Sequence, residues 1–198
     1  DKQEGKENTY YKSGELQSEK NLSDDNQMGK YEKYFKSGNI EFEATYKNGI
    51  QEGFTKNYFD NGNLKNETAF QNNQMNGLYK EYRNTGELLY ETNYKDGVKH
   101  GSSKKYYKSG NIEQDYHYKE GKLDGVIKEY HGIGTLASRI NYVHNKPDGI
   151  MQKYYNNGKL KMQITFKDGK AIQGTQYVEY GTKKELTHAH LKKMGFKY

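Results

Sequence analysis

Apolar and aromatic residues recur along this chain every 24 positions, and polar residues alternate with apolar ones in between. Tyr10, Tyr34, Tyr58, Tyr82, Tyr106, Tyr130 and Tyr154 form one column without exception. Leu16, Ile40, Leu64, Leu88, Ile112, Leu136 and Leu160 form a second. Leu22, Tyr46, Phe70, Tyr94, Tyr118, Tyr142 and Phe166 form a third, aromatic from the second unit onward. Two glycine columns keep step with them, one from Gly5 to Gly149 and one from Gly14 to Gly158. Five columns in register define a tandem repeat, and a fixed period of this size is the signature of a repeat architecture.

Each unit reads as a β-hairpin. Stretches of about seven to nine residues with alternating polarity have the character of strands. Turn chemistry falls at two places per unit, as in Asn61-Gly62 and Ser109-Gly110, and again in Asn48-Gly49 and Asp96-Gly97. Glycine, and less readily asparagine, accepts the positive φ that hairpin turns require. No segment within the repeats carries a 3.6-residue apolar stripe. The pattern predicts an all-β fold, an elongated antiparallel β-meander of about seven hairpins in a single twisted open sheet. At about 4.8 Å per strand it would extend on the order of 65–70 Å.

The turn decides which residues share a face. A three-residue loop closing on glycine sets Tyr58 opposite Leu64, whereas a two-residue loop sets Phe59 there. Invariance of the tyrosine column favours the first. Leu64 and Phe70 lie six apart and so share a face in a regular strand. The predicted repeat core is therefore Tyr34, Tyr58, Tyr82, Tyr106, Tyr130 and Tyr154 with Ile40, Leu64, Leu88, Ile112, Leu136 and Leu160. Glu43, Glu67, Glu91 and Asp115 fall on the other parity and should face water.

The ends depart from the pattern. Unit one has Asp24-Asp25 where others have a turn glycine, and unit six carries Gly132, Gly134 and the only proline, Pro147. Residues 1–173 thus read as repeats, with units starting at 5, 29, 53, 77, 101, 125 and 149. Residues 174–198 read as a degenerate final unit and a capping helix. Thr182-Lys183-Lys184-Glu185 has the form of a capping box, and Leu186, His190 and Met194 follow at four-residue intervals. These features predict a short helix over 183–194 that covers the last sheet edge.

Leu, Ile, Val and Phe make up only 31 of 198 residues, a level at which disorder is suspected. Twenty-one tyrosines supply the missing apolar mass. No apolar run approaches the length of a membrane-spanning helix. Zero cysteine excludes disulfides and thiolate chemistry. The opening Asp1-Lys2-Gln3-Glu4 has no Met and no apolar stretch, as expected of a chain whose leader was removed or of a piece of a longer one. On that reading the expected location is the bacterial envelope or outside the cell, with the cytoplasm as the alternative.

Asn48-Gly49-Ile50-Gln51-Glu52-Gly53, Asp96-Gly97-Val98-Lys99-His100-Gly101 and Glu120-Gly121-Lys122-Leu123-Asp124-Gly125 resemble MORN repeats. Tyr106-Tyr107-Lys108-Ser109-Gly110-Asn111-Ile112 is similar to the bacterial variant of that repeat. The resemblance covers roughly residues 5–174. It implies an antiparallel sheet of hairpins that serves as an interaction scaffold, in some members at membranes. Bacterial variants also include antitoxin or immunity-like partners and envelope proteins.

Candidate chemistry is sparse. The histidines sit at positions that hold other residues in neighbouring units, so none belongs to the repeated framework. His188 and His190 would share one face of a strand within reach of a metal but diverge on a helix. No Walker loop or dinucleotide fingerprint is present. The expectation is no catalytic residue, no metal and no cofactor. Lys56, Lys80, Lys104 and Lys128 recur at one position and could form a stripe for an anionic ligand, either a membrane lipid or a glycan. Interleaved Glu and Asp disfavour nucleic acid. The expected function is a non-catalytic scaffold for protein–protein interaction. The alternatives are an antitoxin or immunity-type protein, and a peripheral lipid or glycan binder.

Overall fold

The computed structural model describes residues 2–178 and 181–197. The fold is all-β, with a single short helix among the described residues. The chain divides into two compact units, Asp1–Val98 and Lys99–Tyr198. In each unit the strands pair antiparallel, hairpin after hairpin along the chain, as Ile40–Lys47 pairs with Gly53–Tyr58 and Gly53–Tyr58 with Leu64–Gln71. A representative hairpin of the first unit joins Gly53–Tyr58 to Leu64–Gln71, and one of the second joins Gly125–Tyr130 to Leu136–Val143.

Chirality fixes the turns. At the hairpin tip the Phe59 amide donates to the Asn63 carbonyl at 2.8 Å and the Gly62 amide to Phe59 at 2.9 Å. Gly62 takes φ +84°, a conformation that costs an L-residue about 1 kcal/mol. Tyr58 therefore pairs with Leu64. At the opposite end both central turn residues have positive φ, as in Asn48 (51°) and Gly49 (74°). Such a turn matches the right-handed twist of the flanking strands. Each back turn also bonds to the one before it: Gly49 N–H reaches the Gln27 carbonyl at 2.9 Å and Gly121 N–H reaches Lys99 at 2.8 Å.

The distribution of buried residues differs from the expectation. Tyr34, Tyr58, Tyr82, Tyr106, Tyr130 and Tyr154 are all half-buried, as are Ile40, Leu64, Leu88, Ile112, Leu136 and Leu160. The reason is a register shift. Tyr58 faces Leu64 but Asn57 faces Asn66, so Lys65 is an extra residue that breaks the six-residue parity argument. The tyrosine column consequently lies on the face of Lys56 and Glu43. The buried rows run through other pairs: Tyr31 with Ala44, Thr55 with Thr68 and Tyr79 with Thr92 in the first unit. In the second unit they are Ser103 with Tyr116, Ile127 with Ile140 and Met151 with Ile164. A large residue faces a small one in Tyr31 with Ala44 and in Ser103 with Tyr116, whereas two aliphatic side chains face each other in Ile127 with Ile140 and in Met151 with Ile164.

Aromatic clusters fill the first unit's buried face. Tyr31 meets Phe42 and Tyr46 edge-on, with centroids 5.7 and 6.3 Å away. Tyr79 packs likewise against Tyr90 and Tyr94. In the second unit the buried face turns aliphatic and ends in a cluster of Met151, Met162, Ile164, Phe166, Ala171, Leu186 and Leu191.

The tail is strand first and helix second. Lys183–Leu186 pairs with Lys170–Tyr177, and the helix is confined to His188–Lys193. Leu186 lies across from Gly174 and enters the buried row, and Thr175 donates to Glu185 at 3.0 Å. Those contacts hold 183–186 extended. Thr187, not Thr182, caps the helix, with the His190 ring completing the box.

Candidate functional site

One face of the first unit carries a ladder of opposite charges. Glu43 pairs across from Lys56, Lys56 from Glu67, and Glu67 from Lys80. Lys56 lies 3.9 Å from Glu43 and Lys80 lies 3.8 Å from Glu67. Lys30 binds Glu32 at 2.7 Å and Glu43 at 2.9 Å. The conserved geometry extends to the tyrosines. The Tyr58 hydroxyl donates to Glu43, and the Tyr82 hydroxyl donates to Glu67 at 3.1 Å. Burial and the adjacent Glu43 carboxylate push the Tyr58 phenol up to about 12. Burial alone would raise Glu43, but bonds from Tyr58 and Lys30 outweigh it and hold the carboxyl below its usual range.

The candidate lysine stripe thus divides. Lys56 and Lys80 alternate with carboxylates and are partly neutralised. In the second unit Lys104 faces Asp115, Asp115 faces Lys128, and Lys128 faces Arg139. Three cations there meet one carboxylate. The whole chain shows the same asymmetry. Residues 1–98 hold 13 Lys and Arg against 17 Asp and Glu, net −4, and residues 99–198 hold 19 against 9, net +10.

The other face of the second unit holds a groove of about 280 Å³. Tyr116, Ile127, Ile140, Tyr142, Met151 and Phe166 line it, with Glu129 and Lys153 at the rim. Glu129 accepts from Ser138 at 3.0 Å. Burial, then Glu129, raises the Tyr116 phenol to about 12. Phe196 closes one end against Phe166, centroids 5.8 Å apart. Tyr142 and Phe166 belong to the repeated aromatic column, but the other groove positions change from unit to unit and no column marks them. The only signal was the drift at these positions from Thr55 and Thr68 to Ile127, Ile140 and Met151.

Two histidines make local bonds. His190 Nδ1 sits 2.9 Å from the Thr187 hydroxyl in the helix cap, and His131 Nε2 sits 3.2 Å from the Tyr154 carbonyl. Among the described residues no three His, Asp or Glu converge as a metal site would require.

Residues 3–24, 29–48, 51–72, 75–96, 99–120 and 147–168 match the family described as MORN repeat variant. The chain belongs to this family. MORN repeats are generally repeats for protein or membrane interaction, and their family is typically non-enzymatic. The stretch 121–146, which the family model does not match, still folds as an antiparallel hairpin, with the Gly134 amide donating to the His131 carbonyl at 2.8 Å. No curated protein matches the chain. Among solved structures, the GtfA/B complex bound to UDP and GlcNAc is 8% identical, with TM-score 0.26 over 60% of this chain and 25% of that one. TcdB2-TccC3-Cdc42 is 14% identical, with TM-score 0.23 over 91% of this chain. The chain spans only 12% of that second structure's length.

Proposed function

We propose that this MORN-repeat chain is a non-catalytic scaffold that holds a protein partner at the groove of its second unit. The observation that carries this reading is the groove of the second unit, lined by Tyr116, Ile127, Ile140, Tyr142, Met151 and Phe166. The ladder side satisfies its own charges through Lys56, Glu67, Lys80 and the tyrosine hydroxyls. Separately, the second unit holds a groove floored by the buried Ile127 and Met151 and the half-buried Ile140. An apolar patch rimmed by polar residues is characteristic of an interaction site.

The test is cross-linking of the full chain in its native extract, followed by reconstitution with each purified prey. The expected result is one binary complex that survives gel filtration and is lost on Ile140→Lys. Failure of every purified prey to form a complex overturns the scaffold reading. A second reading, attachment to an anionic membrane, draws on the net charge of +10 in residues 99–198. It predicts binding to phosphatidylglycerol vesicles that falls steeply with salt. The antitoxin reading rests on family resemblance and draws no support from the geometry.

A further inference from the structure

The first hairpin fills the buried row with charge. Its register repeats that of the later hairpins, so Glu7 faces Lys20 where Tyr31 faces Ala44, Thr55 faces Thr68 and Tyr79 faces Thr92. In the second unit the same places hold Ser103 with Tyr116, Ile127 with Ile140 and Met151 with Ile164. None of those later pairs carries a charge. Lys20 also faces Tyr31 in the next pairing, which puts both charges on the buried side of the sheet. Leu22, two residues further along the same strand, is buried on that side. Lys20 Nζ lies 2.9 Å from a Glu7 carboxylate oxygen, with the two side chains 31% and 34% exposed.

The strand that carries Glu7 is also an edge. Gly5–Tyr10 pairs with Leu16–Ser23 and with no other strand among the described residues. The outward half of its N–H and C=O groups is a template for a further strand. A second copy of the chain offers a matching one. For the buried sides of two copies to run on across a two-fold axis, residues of one parity must face each other. In the register that pairs all of Gly5–Thr9 with its copy, Glu7 meets Glu7. Like charges directly opposite repel, and the added strand would strip water from both ion pairs. Lys6, exposed on the other side and 2.8 Å from Glu19, adds a second charge to the same edge. We infer that the Glu7–Lys20 pair closes this edge against a second copy of the chain. The inference is independent of the groove and of any partner held there.

The test exchanges the pair for those of inner hairpins in the full chain. Glu7→Tyr/Lys20→Ala copies Tyr31 with Ala44, and Glu7→Thr/Lys20→Thr copies Thr55 with Thr68. Mass in solution is read by light scattering after gel filtration over a range of concentrations. Hydrogen exchange then locates any contact. The expected result is that at least one graft associates through residues 5–10, about 10-fold or more tightly than the parent chain, which leaves those amides unprotected on their outer side. Glu7→Lys, which sets like charges together again, should behave as the parent does. A parent chain that already associates through residues 5–10 overturns the inference, and so do two folded grafts that gain no association. Grafts that both lose protection over residues 5–23 overturn it too, because the pair then holds the hairpin together instead of closing its edge.

Discussion

At the scale of single residues, the invariant tyrosines show how a repeated side chain can earn its constancy without being buried. Seven copies point to a framework role, and in two of them the hydroxyl donates to the carboxylate of the hairpin before, Tyr58 to Glu43 and Tyr82 to Glu67, whereas Tyr154 donates to Gln152 at 3.0 Å. Tyr82→Phe should therefore cost about 1 kcal/mol in urea melts, the usual net worth of one hydrogen bond. Tyr82→Ala should cost about 2–3 kcal/mol, less than a fully buried aromatic. The phenols also predict alkaline behaviour. Their folded pKa values stand near 12 against an ordinary 10.0. A group raised on folding stabilises fully below its unfolded value and loses that contribution as pH climbs through the folded one. Stability should fall between pH 10.0 and about 12, and fall less in a Tyr58→Phe/Tyr82→Phe double variant. An identical decline in both would dissociate the tyrosines from the effect. The sequence displayed the columns plainly. It concealed the face they occupy, because nothing in the letters around Lys65 marks it as the extra residue of a bulge.

Among elements, turns were the most legible, since positive φ leaves few residue choices. Where the second turn residue is not glycine, its side chain takes over a bond. Asn73 Oδ1 accepts the Gln51 amide and Asn145 Oδ1 accepts the Leu123 amide, both at 2.7 Å. Asn145→Gly removes that bond but relaxes the backbone at φ 68°, so it should cost under about 1 kcal/mol. Asn145→Ala loses both and should cost about 2 kcal/mol. If thermal melts rank the two the other way, the side-chain bond is not what holds the turn. The tail was less legible. The spacing of Thr182 and Glu185 predicts a cap there, and local pattern alone gave no reason to look beyond it. Tertiary contact chose: Leu186 is drawn into the buried row, which keeps 183–186 extended and moves the helix start to Thr187. Leu191→Ala should then cost about 2–4 kcal/mol, as for any fully buried leucine.

Over the whole molecule, the same backbone repeat is filled by two different interiors. The buried apolar side chains of residues 2–98 are Leu22 and Ala44, and the row between them and Thr92 relies on threonines and tyrosine edges. Residues 99–197 bury Ile127, Met151, Met162, Ile164, Phe166, Leu186 and Leu191. A hidden aliphatic side chain contributes about 1.5–3 kcal/mol, whereas a buried threonine hydroxyl without a partner, as at Thr68 and Thr92, subtracts from its methyl's gain. Repeat arrays are stabilised by nearest neighbours, so such differences stay local and need not average over the chain. Opening under mild urea should therefore begin in the first half, most readily at Gly5–Tyr10, which pairs with only one strand among the described residues. Hydrogen exchange read by mass spectrometry should find the amides of residues 5–95 released at lower urea than those of 125–177. Release of both halves at one urea concentration would mean that unfolding is a single cooperative event, and that the shift from threonine to isoleucine along the row sets binding alone.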